Sequence, residues 1–358
     1  MNYRLTACFS PDEKYTRHSE GAFLRLKDGT ILFAYSRFTG LWNDDAPSDI
    51  VAVTSHDEGE TWSEARTLVP ASHHGASNIM SVSLMRMGNG DVGLFYIVKK
   101  TPLINQIILA RSNDESQTFY QYTDCTARIA QGYYVLNNDR VIRLDTGRLV
   151  MPLAFHRGGL CSWGEVTLNT FDGRGIAVCL LSDDDGETWR EAPDTVFPPF
   201  TRTGSGLQEP GVIEKKNGVL WGYSRTDKMY QYEYFSIDGG EHWTVPQPSR
   251  FTSPCSPMKI DRHPKTGDLY AFWNPIPEYN GRYTSRAGWG RTPLVWAVSR
   301  DDGATWSNYT VIEGHEEHGY CYPAVFFTND GCALVAYCSG GPADGICLAR
   351  LTIQKISI

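Results

Sequence analysis

Apolar positions in this chain gather into short runs, and turn residues interrupt the runs at regular intervals. Ile31-Leu32-Phe33-Ala34-Tyr35 and Leu334-Val335-Ala336-Tyr337 each follow closely on a turn that ends in glycine. The turns are Asp28-Gly29, Asn89-Gly90, Thr146-Gly147, Asn217-Gly218, Thr266-Gly267 and Asp330-Gly331. Aromatic and β-branched residues flanking such pairs predict β-hairpins. A second mark falls between the turns, with the template S-x-D-x-G-x-T-W. It reads Ser55 to Trp62, Ser182 to Trp189, Ser236 to Trp243 and Ser299 to Trp306, with a worn copy at Ser112 to Phe119. Asp suits the capping of backbone N–H groups, Gly a positive φ, and the terminal aromatic a place beneath the next sheet.

Self-similarity at this period predicts a repeat architecture. Six glycine turns spaced 49 to 71 residues apart predict six four-stranded units, and radial repetition of such units is a β-propeller. The expectation is an all-β, six-bladed β-propeller with residues 1–358 as one domain. Five S-x-D-x-G-x-T-W turns against six glycine turns predict that the last blade borrows its outer strand from the N-terminus, around Tyr3 to Phe9.

Composition narrows the class. The 358 residues carry 33 basic and 41 acidic side chains, a net charge of −8, which argues against a nucleic-acid partner. No apolar run reaches the ~18 residues of a membrane span, so no membrane partner is expected. The first residues lack the apolar core of a secretion signal, and nine cysteines without a C-x-x-C pair read as reduced thiols. A cytoplasmic location is expected. His315-Glu316-Glu317-His318 lacks H-E-x-x-H spacing, and neither a metal nor a cofactor is expected.

Strand parity selects a functional face. With strands A to D running from the axis outward, the glycine turns join A to B and the S-x-D-x-G-x-T-W turns join C to D. Both sets therefore lie on one face. The opposite face collects the starts of A, the ends of B and the B–C loops, where a pocket at the channel mouth must form. Those positions supply Arg17, Arg37, Asp45, Asn78, His156, Gln208, Glu209, Arg225, Arg291 and Tyr322. Arginines, carboxylates and a tyrosine on one rim suit an anionic sugar and its hydrolysis. Tyr320 is a local rival to Tyr322, and Asp44 and Asp49 are rivals to Asp45. Trp42 and Trp289, in B–C loops, are candidates for stacking on a sugar.

The repeated turn resembles the Asp box of sialidases and related β-propellers, and the resemblance to exo-α-sialidases extends over roughly residues 15 to 340. Gly206-Leu207-Gln208-Glu209-Pro210 followed by Tyr223-Ser224-Arg225 is similar to the family's glutamate motif and one arginine of its carboxylate-binding triad. Arg291 stands where another triad arginine is expected, and Arg37 resembles an arginine shaping the same pocket. The resemblance implies Asp45 as acid/base, Glu209 as base and Tyr322 as nucleophile. Arg37, Arg225, Arg291, Asn78, Arg17, His156 and Gln208 would bind substrate, and the partner would be a carbohydrate. The chain departs from the pattern in its first blade: Ser19-Glu20-Gly21 replaces the first arginine motif, with Arg17 two residues earlier as a possible substitute. Three functions remain open: a sialidase-like hydrolase, a hydrolase or lyase of another acidic sugar such as a uronic acid, and a non-catalytic carbohydrate-binding propeller.

Overall fold

Six antiparallel sheets follow one another along the chain in the computed structural model, which describes residues 3–163, 166–276 and 285–358. Together they form a six-bladed β-propeller with almost no helix. Blade 1 sets the pattern, with strands Tyr15–Arg25, Ile31–Thr39, Ser48–Ser55 and Arg66–Val69 paired in that order. The inner strands of the later blades are Ile79–Arg86, the split pair Tyr133–Val135 and Ile142–Arg143, Gln208–Glu214, Lys259–Arg262 and Gly319–Phe327. Blade 6 is completed by Tyr3–Phe9, which runs antiparallel to Arg350–Ser357 with Tyr3 opposite Ile356 and Phe9 opposite Leu351. The N-terminal strand thus closes the ring.

Both families of turns behave as their residues dictate. Each of the six glycines of the A–B turns has a positive φ, between 74° and 92°. In every Asp box the aspartate accepts the backbone N–H four residues on, at 2.8–3.0 Å, and the first serine accepts the N–H of the Gly position at 2.8–3.0 Å. The worn second box keeps this geometry with Ser116 at φ 69° in place of glycine. In the fourth box His242 replaces threonine, and its Nδ1 lies 2.7 Å from Asp238. The box aromatics pack into the core, as Trp62 does 6.2 Å from Phe23 and 6.3 Å from Phe33. The cores between blades are aliphatic and aromatic, for example Ile31, Phe33, Val51, Val53, Leu334 and Ile353 between blades 1 and 6.

Two features bear directly on the site. A hairpin, Gly158–Trp163 with Val166–Phe171, is inserted between the second and third strands of blade 3 and ends beside the channel mouth. The inner strands also carry a shared irregularity. Register shifts interrupt the first two strands of blades 1, 2, 4 and 6. In each of these four blades one non-glycine residue at a shift has a positive φ: Glu20 (59°), Ser81 (62°), Glu209 (47°) and Tyr322 (56°). A β-bulge re-aims one side chain out of strand alternation, and non-glycine residues held in this region of φ are uncommon and cluster at functional sites.

Candidate active site

On the face opposite the Asp boxes, a cavity of about 300 Å³ opens at the channel mouth. All four bulge residues line it, together with Asp44, Lys99, Tyr133, Asn137, His156, Phe171, Gln208, Arg225, Trp289 and Arg291. A larger, shallower depression of about 810 Å³ lies on the Asp-box face between blades 3 and 4. It is lined by turn residues whose charges are paired with one another, such as Arg148 with Asp183 and Arg143 with Asp185. The smaller cavity has the chemistry.

Tyr322 and Glu209 form its centre. The Tyr322 hydroxyl donates to Glu209 Oε1 at 2.9 Å, and both residues are buried. Burial pushes the phenol well above its ordinary pKa, Glu209 adds to the shift, and Arg225 and Arg291 oppose it. Arg225 reaches both members of the pair, at 3.0 Å from Glu209 Oε2 and 3.4 Å from the Tyr322 hydroxyl. Gln208 holds Arg225 in place, accepting from Nε at 3.0 Å and Nη2 at 2.6 Å, while its own amide donates to Gly173 O. The guanidinium of Arg291 lies 5.6 Å from the Tyr322 ring and 4.9 Å from the Trp289 ring. It is anchored from below by Cys321 Sγ at 3.2 Å and Cys255 O at 3.1 Å.

One wall is aromatic. His156 stacks on Phe171 with centroids 5.3 Å apart, and Tyr133 meets Phe171 edge-on at 5.3 Å. Burial lowers the His156 pKa below its ordinary value, and Nδ1 lies 3.1 Å from Asp172 O. His156 is therefore a neutral surface for a ligand rather than a cation.

Blade 1 departs from the sequence expectation. Arg17 does not line the cavity; it is buried, with both terminal nitrogens of its guanidinium engaged. Nη1 donates to Asp44 Oδ1 at 2.6 Å, and Nη2 donates to Ser19 Oγ at 3.0 Å and Glu20 Oε1 at 3.1 Å. It cannot stand in for a free carboxylate-binding arginine. Asp45 points to solvent, 75 % of its side chain exposed, and pairs with Lys99 at 3.0 Å. Of these two neighbours it is Asp44 that lines the cavity. It is open to solvent through the mouth, and the burial that would raise its pKa is outweighed by the charge and hydrogen bond of Arg17, so it titrates below the usual range. Arg37 lies over the ring of Tyr15 at 3.9 Å, outside the lining. Asn78 is also outside it and donates to Asp44 O and Ala46 O, holding the loop that carries Asp44.

Glu20 and Phe171 were not among the residues selected from sequence. For Glu20 a signal existed. Glu20, Ser81, Glu209 and Tyr322 each stand nine positions before the glycine of their A–B turn, Gly29, Gly90, Gly218 and Gly331. Counting from those turns aligns the four bulges. Phe171 sits on an inserted hairpin outside the repeat, and no spacing rule reaches it. Among the described residues no cluster of His, Cys, Asp or Glu is arranged to hold a metal ion.

Residues 43–335 match the model of the BNR repeat-like domain, and this match spans most of the chain. The chain belongs to the BNR repeat-like family. Solved structures share the fold at low sequence identity. A Dyadobacter fermentans protein of unknown function is 18 % identical, with a TM-score of 0.70 over 99 % of both chains. The NanB sialidase of Streptococcus pneumoniae (K499G mutant) is 13 % identical, with a TM-score of 0.71 over 99 % of this chain and 70 % of that one. An intramolecular trans-sialidase from Ruminococcus gnavus, in complex with oseltamivir carboxylate, is 13 % identical, with a TM-score of 0.69 over 97 % and 95 %. No curated protein matches the sequence. This BNR repeat-like propeller shares its fold with sialidases, and a fold alone does not fix an activity.

Proposed function

We propose that this chain is a glycoside hydrolase of sialidase type that releases a terminal sialic acid or a related acidic sugar. The observation that carries the reading is the buried hydrogen bond from Tyr322 to Glu209, flanked by Arg225 and held at the floor of the cavity. A neutral phenol is a poor nucleophile, and here burial keeps it neutral at rest. Glu209 takes the proton as the phenolic oxygen attacks the anomeric carbon and the glycosidic C–O bond breaks; a carboxylic acid at the rim protonates the leaving oxygen, and water then releases the sugar from Tyr322. Tyrosine suits a substrate with its own carboxylate, because a carboxylate nucleophile would be repelled by it. Arg225 and Arg291 hold that carboxylate through charge-assisted hydrogen bonds. The aromatic wall of Tyr133, His156 and Phe171 receives an apolar part of the sugar, and Trp289 stacks at the rim. Sialidases of the same fold support a carbohydrate partner.

A second reading, a hydrolase or lyase acting on another acidic sugar such as a uronic acid, rests on the missing first arginine motif, whose place Ser19 and Glu20 take. Purified protein assayed on aryl sialosides and aryl glucuronides decides between them. Tyr322→Phe should lower kcat on the substrate that is turned over by about 10⁴-fold or more, as expected when a nucleophile is removed. Tyr320→Phe should keep most of it, because Tyr320 packs against His318 and Tyr337 outside the cavity. Failure to turn over either substrate class would leave only a binding function.

A further inference from the structure

Glu20 occupies in blade 1 the bulge position that Glu209 and Tyr322 occupy in blades 4 and 6. The equivalence of backbone, the positive φ and the shared cavity place its carboxyl on the same floor as the hydrolytic pair. The side chain is 5 % exposed, so the bulge aims an acidic group into protein and cavity rather than into water. Ser81, the bulge residue of blade 2, donates to Oε2 at 2.7 Å, and Arg17 donates to Oε1 at 3.1 Å.

A substrate carboxylate held by Arg225 and Arg291 arrives beside this group. Two carboxylates that share a buried site cannot both ionise at ordinary cost, and one of them retains a proton. We propose that Glu20 forms the third wall of the anion site as a neutral carboxylic acid that donates to the substrate carboxylate, so that binding takes up one proton. This rests on the acidic-sugar reading above and names a specificity-determining residue within it.

The surroundings of Glu20 agree. Burial is the largest influence on it and raises its pKa; Arg17 from its own strand and the Ser81 hydroxyl from blade 2 pull the pKa down. Asp44 from the rim loop and Glu209 from blade 4 push it up, and Tyr322 and Cys338 face it from blade 6. The balance leaves Glu20 at about 7. Below that pH the proton is already present and affinity is flat. Above it the proton must be taken up from solvent, and affinity falls tenfold per pH unit. His156 does not supply the effect, because its pKa is shifted downward, away from this window.

The test is calorimetric titration of the full-length protein with a 2,3-dehydrated sialic acid analogue from pH 5.5 to 8.5, in buffers of different ionisation heat. Wild-type protein should bind with a Kd that is level below about pH 7 and then rises towards tenfold per unit, with proton uptake approaching one per site. Glu20→Gln, which keeps the shape of the neutral acid, should bind with a level Kd and no uptake. A wild-type Kd that is level throughout, without proton uptake, would overturn the proposal and leave the acidic-sugar reading standing. So would a Glu20→Gln variant that keeps the wild-type slope. Asp44 is the other carboxylate that an arriving anion would protonate, so Asp44→Asn is the control. It should keep the uptake, and loss of the uptake there would assign the proton to Asp44 and overturn the proposal even if Glu20→Gln folds poorly. Absence of binding at every pH by both proteins would overturn the sialic-acid reading and this inference with it.

Discussion

Asp44 and Asp45 stand one position apart and meet opposite environments. Asp45 projects into solvent against Lys99, whereas Asp44 faces the cavity above Arg17. A leaving oxygen needs a proton from a group within reach of the bond that breaks, and Asp44 is the rim carboxylate with that access. Arg17 holds its pKa below the usual range; an anionic substrate arriving alongside opposes that shift and favours its protonation. Asp44→Asn should therefore lower kcat by about 10²–10⁴-fold on a glycoside with an alkyl leaving group. It should matter far less on a nitrophenyl glycoside, whose leaving group needs no proton. Asp45→Asn should do neither. Equal losses for Asp44→Asn on both leaving groups would show that it positions the substrate rather than protonating the leaving oxygen.

Asp boxes show how far one short element can be read from residues alone. The Asp301 carboxylate accepts from Ser299 Oγ and from Thr305 N, each at 2.8 Å, and it also accepts from Thr305 Oγ1. These hydrogen bonds, that of the Thr305 side chain foremost, hold its pKa at about 2. A carboxyl depressed in the folded state stabilises the fold above its unfolded pKa, and the contribution is lost as the pH falls through the folded value. Asp301→Ala should therefore melt lower than wild type at pH 7, and the gap should narrow as the pH drops from about 4 towards 2. A gap independent of pH in thermal melts would mean that the carboxylate charge is not what holds the turn. The boxes were legible because turn chemistry is local: Ser, Asp, Gly and Thr act within eight residues. The A–B turns, the blade count, the face that carries the cavity and the places of Glu209, Arg225, Arg291 and Tyr322 in its lining followed from the same repeat. Strand alternation was a poorer guide where bulges intervene. It admitted Arg17 and Arg37 to the cavity lining and passed over Glu20, because a bulge changes which residue faces the channel without changing composition. The Asp44 and Asp45 assignment turned on an ion pair to Arg17, 27 residues away in sequence, which no local pattern encodes.

At the scale of the whole molecule, the ring closes through the two ends of the chain. Tyr3–Phe9 forms the outer strand of blade 6, whose inner strand carries Tyr322. The strand is tied to blade 1 as well: Trp62 Nε1 donates to Thr6 Oγ1 at 3.3 Å, and Phe9 stacks on Tyr35 at 5.0 Å. Removing residues 1–9 would strip the ladder from Arg350–Ser357 and uncover side chains between blades 6 and 1. Each ladder hydrogen bond contributes about 0.5–1.5 kcal/mol, so the loss approaches the ~5–15 kcal/mol net stability of a folded domain. The bared edge is also a template for pairing with another chain. The truncated protein should melt well below wild type and self-associate, as read by thermal melts and gel filtration. Blade 6 frames Tyr322, so turnover of any substrate found should fall with it. Adding a peptide of residues 1–10 should restore the melting temperature, the elution volume and the turnover together, because the missing piece is one strand with one register. Truncation that leaves the melt and elution unchanged would show that the blades hold without the closure. Rescue of stability without turnover would place the N-terminal strand outside the support of Tyr322.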